Sequence, residues 1–141
     1  MPNIDNIKKY KKIHMIGIGG ISMSGIAEIL VNWGFSVSGS DRTDSDILHT
    51  LEKAGVKIHI GHNASNIEDA DCVVFTAAIN KDNPELVHAK ELGIPVIERS
   101  DFLGNLTRCY KNTIAISGTH GKTTTTSLVS LCFMEAQKDP S

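Results

Sequence analysis

The sequence predicts an α/β fold, a parallel sheet with helices on both faces. Short apolar runs alternate with segments of helical period along nearly all 141 residues, as in chained strand–helix–strand units. One run, "DCVVFTAAI", is almost continuously apolar, as a strand buried on both faces should be. Two glycine-rich turns stand where a strand gives way to a helix, the place where such folds bind phosphate groups.

About six strands are expected from this alternation. "KIHMIGIGG" ends a first strand near Gly17, and Ile26, Ile29, Leu30 and Trp33 then recur at helical spacing. "FSVSGSD" is a second strand closed by Asp41. Asp44 or Ser45 can cap a second helix with Ile47, Leu48, Leu51 and Ala54 on its apolar side and Gly55 at its end. "VKIHIG" alternates as a third strand, and "DCVVFTAAI" is expected at the centre of the sheet. Asn83 and Pro84 form a cap and first-turn pair, opening a helix through Leu86, Val87 and Leu92 that Gly93 ends. "PVIER" supplies a fifth strand, "SDFLGNL" a short helix, and "NTIAISG" a sixth strand that feeds a terminal loop and helix.

A chain of 141 residues, 40% hydrophobic and 21% charged, can bury one sizeable core but not two complete domains. Fourteen basic against sixteen acidic residues leave a net charge of -2. No basic field is present to attract nucleic acid or anionic lipid, so small-molecule partners are expected. Cys72, Cys109 and Cys132 are odd in number, widely spaced and without a CxxC pair. That pattern suits neither a disulfide framework nor a zinc site, and a reducing cytoplasm is expected. The opening "MPNIDNIKKYKK" is polar, and no stretch approaches the roughly eighteen apolar residues of a membrane span, so neither secretion nor membrane insertion is expected.

The first chemical motif is "GIGGISMSG", Gly17 to Gly25. Glycines between strand and helix let the backbone approach a pyrophosphate at the helix N-terminus, which makes the fold Rossmann-like. A dinucleotide fingerprint would read GxGxxG, but Ser22 occupies the third glycine position, with Gly20 and Gly25 as extra glycines. Asp41 follows Gly17 by 24 residues, near the spacing at which a carboxylate meets a ribose hydroxyl. These features fit a nucleotide without specifying NAD; a tight turn with no ligand is the plain alternative.

The second motif is "GTHGKTTTT", Gly118 to Thr126, preceded by the apolar "TIAIS" and followed by a helical segment. Successive backbone N–H groups can wrap a phosphate, Lys122 can neutralise the outer phosphates, and Thr123 or Thr124 can place a hydroxyl on Mg²⁺. The general phosphate loop GxxxxGK[ST] would have glycine at position 116, where Ile116 stands; the form here is the shorter GxxGKT.

"GIGGISMSGIAEIL", "VSGSD", "GHNASNI", "DNPELVHAKELGIPVIER" and "GTHGKTTTT", in this order, closely resemble the N-terminal part of the Mur ligases of bacterial peptidoglycan synthesis. The resemblance covers almost the whole chain. It implies three domains, for the UDP-sugar, for ATP, and for closure over the site. The chain then corresponds to a UDP-sugar-binding domain, residues 1–109, and the truncated beginning of the ATP-binding domain, residues 110–141. His120 within the loop is typical of the alanine-adding member and its recycling relative. For the whole enzyme the resemblance implies that ATP phosphorylates the carboxylate of UDP-N-acetylmuramate and L-alanine then attacks the acyl phosphate. The 141 residues alone are expected to be inactive, and the uncovered terminal segment to favour self-association.

Carried over by residue, the resemblance puts Gly17, Gly19, Gly20, Ile21, Ser22 and Met23 at the UDP pyrophosphate and Ser40 and Asp41 near the nucleoside. His62 and Thr76, Ala77, Ala78 and Ile79 line the same crevice, His62 being equally readable as a satisfied surface histidine. Gly118, Thr119, His120, Gly121, Lys122, Thr123 and Thr124 bind ATP, with catalysis assigned to Lys122 and Thr123 and Mg²⁺ to Thr123 and Thr124. His14, His49, His59 and His88 read as structural, without a visible partner, and the side chains of Met15 and Met23 as packing. Arg99 either meets substrate or pairs with Asp101. A recycling ligase that adds a tripeptide to the same UDP-sugar, an NAD-type oxidoreductase domain and a stand-alone nucleotide-binding module are the alternatives.

Overall fold

The computed structural model describes residues 7–138. Residues 1–6 of the opening polar segment and the last residues up to Ser141 lie outside that range. The chain divides into two compact units, Met1–Lys111 and Asn112–Ser141.

The first unit runs β1 (Lys12–Ile16), α1 (Ile21–Asn32), β2 (Ser36–Asp41), α2 (Asp46–Lys53), β3 (Lys57–Ile60), a 3₁₀ turn (Ala64–Ile67), β4 (Cys72–Phe75), α3 (Pro84–Glu91), β5 (Val96–Glu98) and α4 (Arg99–Thr107). Every pairing is parallel, in the order β3-β2-β1-β4-β5. The expected α/β sheet is therefore present, but β1 holds its centre. "DCVVFTAAI" supplies only β4 beside it, ending at Phe75. Both strands are flanked on each side, so an apolar run cannot tell which of them is central.

Side chains alternate between two cores, as the strand period of two requires. Ile13, Met15, Cys72 and Val74 join α1, α2 and α4 through Met23, Ile26, Leu30, Leu48, Leu51, Phe102 and Leu106. Ile16 and Val73 face the opposite way, onto Ile67, Leu86 and Ala89. Ile7 and Tyr10 are also buried in the larger core, so the opening segment is less polar in role than its composition suggests. The Asp71 carboxylate accepts from Lys11 N and Lys12 N, both at 2.9 Å, and ties the start of β1 to that of β4. These two backbone hydrogen bonds hold its pKa below the usual range.

The helix ends follow the sequence signals with small corrections. Ser45, not Asp44, caps α2, its hydroxyl accepting from Leu48 N at 3.4 Å. Asn83 accepts from Glu85 N and Leu86 N with Pro84 in the first turn of α3. That helix buries Glu85, Leu86 and Ala89, while Val87 and Leu92 face solvent. An acid thus takes an inward place that sequence periodicity allots to apolar side chains.

In the second unit "NTIAISG" forms no ladder among the described residues. A strand exists only through hydrogen bonds to a neighbour, and an apolar run cannot supply that partner. α5 (Lys122–Glu135) follows the loop and buries none of its residues. Among the described residues no helix is long and apolar enough to cross a membrane.

Candidate functional site

From β1 the chain builds outward through β2 and β3, then returns to place β4 on the other side of β1. The strand order therefore reverses between β1 and β4, and open parallel sheets bind ligands beyond the carboxyl ends of the strands at that point. Gly17 leaves β1 with φ of +79°, a conformation L side chains rarely adopt. A Cβ there would lie 3.5 Å from Ile79 Cδ1 and 3.9 Å from Thr76 Oγ1, so the turn after β4 flanks the glycine loop. Ala77 and Ala78 form its exposed part.

The loop is held from below by Ser40, whose carbonyl accepts from Gly17 N at 2.8 Å and Ile18 N at 3.1 Å. No side chain caps α1, and its first bond runs from Ser24 N to Gly20 O at 2.8 Å. The N–H groups of Ile21, Ser22 and Met23 are thereby left at the positive end of the helix dipole, the arrangement that receives an anion. The Met23 side chain is buried, so that residue offers its backbone alone.

Asp41 Oδ2 accepts from Gly19 N at 2.9 Å and its Oδ1 from Arg42 N at 2.7 Å. A Cβ on Gly19 would stand 2.8 Å from Oδ2. Close approach at this glycine is thus made by the chain's own carboxylate, before any ligand is considered. Arg99 donates to Ser22 Oγ at 2.9 Å, a partner that neither of its two readings named. The serine in the third glycine position joins α1 to the start of α4.

Beneath the carboxyl ends of β2 and β3 lies a polar cluster that sequence reasoning missed. Glu85, fully buried, accepts from Ser40 Oγ at 2.6 Å and Asn66 Nδ2 at 2.6 Å, with His62 Nδ1 at 3.2 Å. His62 Nδ1 also lies 3.0 Å from Ser40 Oγ. His14, expected to lack a partner, is buried with Nδ1 2.9 Å from Ser38 Oγ and Nε2 3.7 Å from Glu85 Oε1. Burial by itself would push the Glu85 pKa up; the His14 ring, Ser40 and Asn66 outweigh it and carry the carboxyl down to about 2. Burial and the neighbouring Lys57 lower the pKa of His59. One signal was available: Ser36, Ser38 and Ser40 share one side of β2, a polar stripe in a strand flanked on both sides.

In the second unit Gly121 caps α5 with φ of +77° and no side-chain bond, and Thr125 N donates to Gly121 O at 3.0 Å. The N–H groups of Lys122, Thr123 and Thr124 therefore precede the helical ladder, as a phosphate requires. Lys122 Nζ donates to Gly118 O at 2.6 Å, closing the loop across the exposed Thr119 and His120. These donors suit a phosphate group. For Mg²⁺ it offers threonine hydroxyls, while the described residues hold no cluster of three or more His, Cys, Asp or Glu.

A sequence profile described as "Mur ligase family, catalytic domain" matches residues 12–111. A UDP-N-acetylmuramate–L-alanine ligase of Acetivibrio thermocellus is 58% identical over 132 residues, covering 94% of this chain and 28% of that protein. Among solved structures, a UDP-N-acetylmuramate–alanine ligase of Thermotoga maritima superposes with a TM-score of 0.84 at 38% identity, covering 89% of this chain and 30% of its own. A murein peptide ligase of Psychrobacter arcticus gives 0.85 at 29% identity, covering 90% and 27%. The chain thus spans less than a third of the length of each of these three proteins.

Proposed function

This chain belongs to the Mur ligase family, and from that premise we propose that it is the UDP-sugar-binding part of a ligase joining L-alanine to UDP-N-acetylmuramate, with the first elements of its ATP-binding domain. The observation that carries the reading is the uncapped start of α1, where the N–H groups of Ile21, Ser22 and Met23 precede the first helical bond. A diphosphate seated there completes those donors, with Gly17, Gly19 and Gly20 giving backbone access. Ser40, Asp41 and His62 stand on the nucleoside side, and Thr76 to Ile79 close the crevice. The boundary between the two functions falls near residue 109.

ATP, when bound, supplies the phosphoryl group that activates the sugar's carboxylate. Gly118 to Thr124 hold its phosphates, Lys122 balances their charge after giving up its bond to Gly118 O, and Thr123 or Thr124 offers a hydroxyl to Mg²⁺. The three free cysteines suit a cytoplasmic setting. The 141 residues alone have no ligase activity, and the apolar side of α5 favours self-association.

The resemblance of the fold to a murein peptide ligase supports a second reading, addition of a peptide to the same UDP-sugar. Both are tested on the longer protein. Release of phosphate from ATP that requires UDP-N-acetylmuramate and L-alanine supports the first reading, and a requirement for a tripeptide in place of alanine replaces it with the second. Titrating the 141-residue chain with UDP-N-acetylmuramate and with NADH separates both from an oxidoreductase domain, which would take NADH alone.

A further inference from the structure

The distances in the cluster under β2 and β3 favour one placement of its protons. Ser40 has a single hydroxyl hydrogen, given to Glu85 Oε2 in a bond of 2.6 Å. Ser40 Oγ can then only accept from His62 Nδ1 at 3.0 Å, and that same N–H leans toward Glu85 Oε2 at 3.2 Å. Asn66 Nδ2 fills Glu85 Oε1 at 2.6 Å and also donates to Gly61 O at 3.2 Å, fixing the turn that carries His62. Both Glu85 oxygens receive donors, so the carboxylate carries no proton of its own. His62 Nε2 has no partner among the described residues and, unlike the Nε2 atoms of His14 and His59, is not enclosed. The His62 side chain is 12% exposed, in the turn that follows the carboxyl end of β3. Ser40 joins this arrangement to the glycine loop, since its carbonyl holds Gly17 N and Ile18 N while its hydroxyl holds Glu85.

We propose that Glu85 is a positioning residue for nucleoside recognition: it keeps the His62 proton on Nδ1 and so presents Nε2 to the crevice as a hydrogen-bond acceptor. The matching group on a uridine diphosphate is a donor of the nucleoside, a ribose hydroxyl or the imide N–H of the base. The phosphates, which only accept, go to the N-terminus of α1. The inference rests on the UDP-sugar reading of the site and adds to it a residue and a direction of hydrogen bonding.

The test uses the 141-residue chain with UDP and with inorganic pyrophosphate as probes. Nitrogen-15 NMR of His62 in the unaltered chain is expected to show the Nδ1–H tautomer, and Glu85→Gln to give a mixture of tautomers. UDP affinity of Glu85→Gln should fall by at least about tenfold while pyrophosphate affinity stays within about twofold, since only the nucleoside loses its fixed acceptor. Either 2′-deoxy-UDP or N3-methyl-UDP should show the same insensitivity to Glu85→Gln, identifying the donor. A purely structural Glu85 would lower UDP and pyrophosphate affinity together, which overturns the proposal, as does an Nε2–H tautomer in the unaltered chain even if the variant does not fold. UDP binding that Glu85→Gln leaves intact overturns this inference alone; absence of UDP binding by the unaltered chain overturns the functional reading as well.

Discussion

Asp41 and Gly19 meet across the carboxyl ends of β1 and β2, Asp41 Oδ2 accepting from Gly19 N at 2.9 Å where a Cβ on Gly19 would leave only 2.8 Å to that oxygen. The acid that spacing assigns to a ribose is thus also a strut of the phosphate loop. Asp41→Ala should lower stability by about 1–3 kcal/mol, the range for losing a charged hydrogen-bond partner, and weaken UDP-N-acetylmuramate binding by about tenfold or more. Denaturant unfolding and calorimetry on the same sample read the two effects. Lost stability with unchanged affinity would leave Asp41 as a strut alone.

Two glycines should respond in opposite directions to the same substitution. A Cβ on Gly39 would lie 2.5 Å from Ile18 Cδ1 and 2.7 Å from the Met15 carbonyl oxygen, which the central strand cannot move away. Gly39→Ala is therefore expected to cost about 2 kcal/mol or more. Gly25 is exposed inside α1 with nothing within 4 Å of its missing Cβ, and Gly25→Ala should add about 0.5–1 kcal/mol from helix propensity. Urea midpoints that moved the same way would contradict this packing.

Acid should unfold the protein in part through Glu85. Its carboxyl titrates at about 2 in the fold against an ordinary 4.5, so the stabilisation is fully present above about pH 4.5 and is lost as pH falls toward 2. Its size is on the order of 3 kcal/mol. Glu85→Gln should be the less stable protein at pH 7, with the gap to the unaltered chain narrowing between pH 4.5 and 2. A gap independent of pH would show that the carboxylate charge contributes nothing.

α5 presents Leu128, Leu131 and Met134, each 59–60% exposed, at spacings of three along the helix. An apolar stripe of this kind drives association in water. Sedimentation of the 141-residue chain is expected to show concentration-dependent dimers or larger species, abolished by Leu128→Glu with Leu131→Glu. A monomer at all concentrations would remove self-association from the proposed properties.

Much of the first unit was legible in the sequence because local signals and the fold agree there. The alternation of apolar runs and helical periods gave the α/β class and the strands, Asn83 with Pro84 marked the start of α3, and the glycines after β1 located the loop. The serines of β2 were visible too, yet a polar stripe names neither its partner nor its burial.

By itself the sequence determined the order of strands and helices in the first unit, the positions of the two glycine-rich loops and the resemblance to the Mur ligases, since each is written in residues close together along the chain. Only the tertiary structure decided that β1 is central, that Arg99 reaches Ser22, that Asp41 is bound to Gly19, and that Glu85 lies buried against Ser40, Asn66 and His62. Those partners stand between 19 and 77 residues apart. An acid in the first turn of a helix reads the same in sequence whether it faces water or is buried, because the difference depends on what the rest of the chain places beneath it.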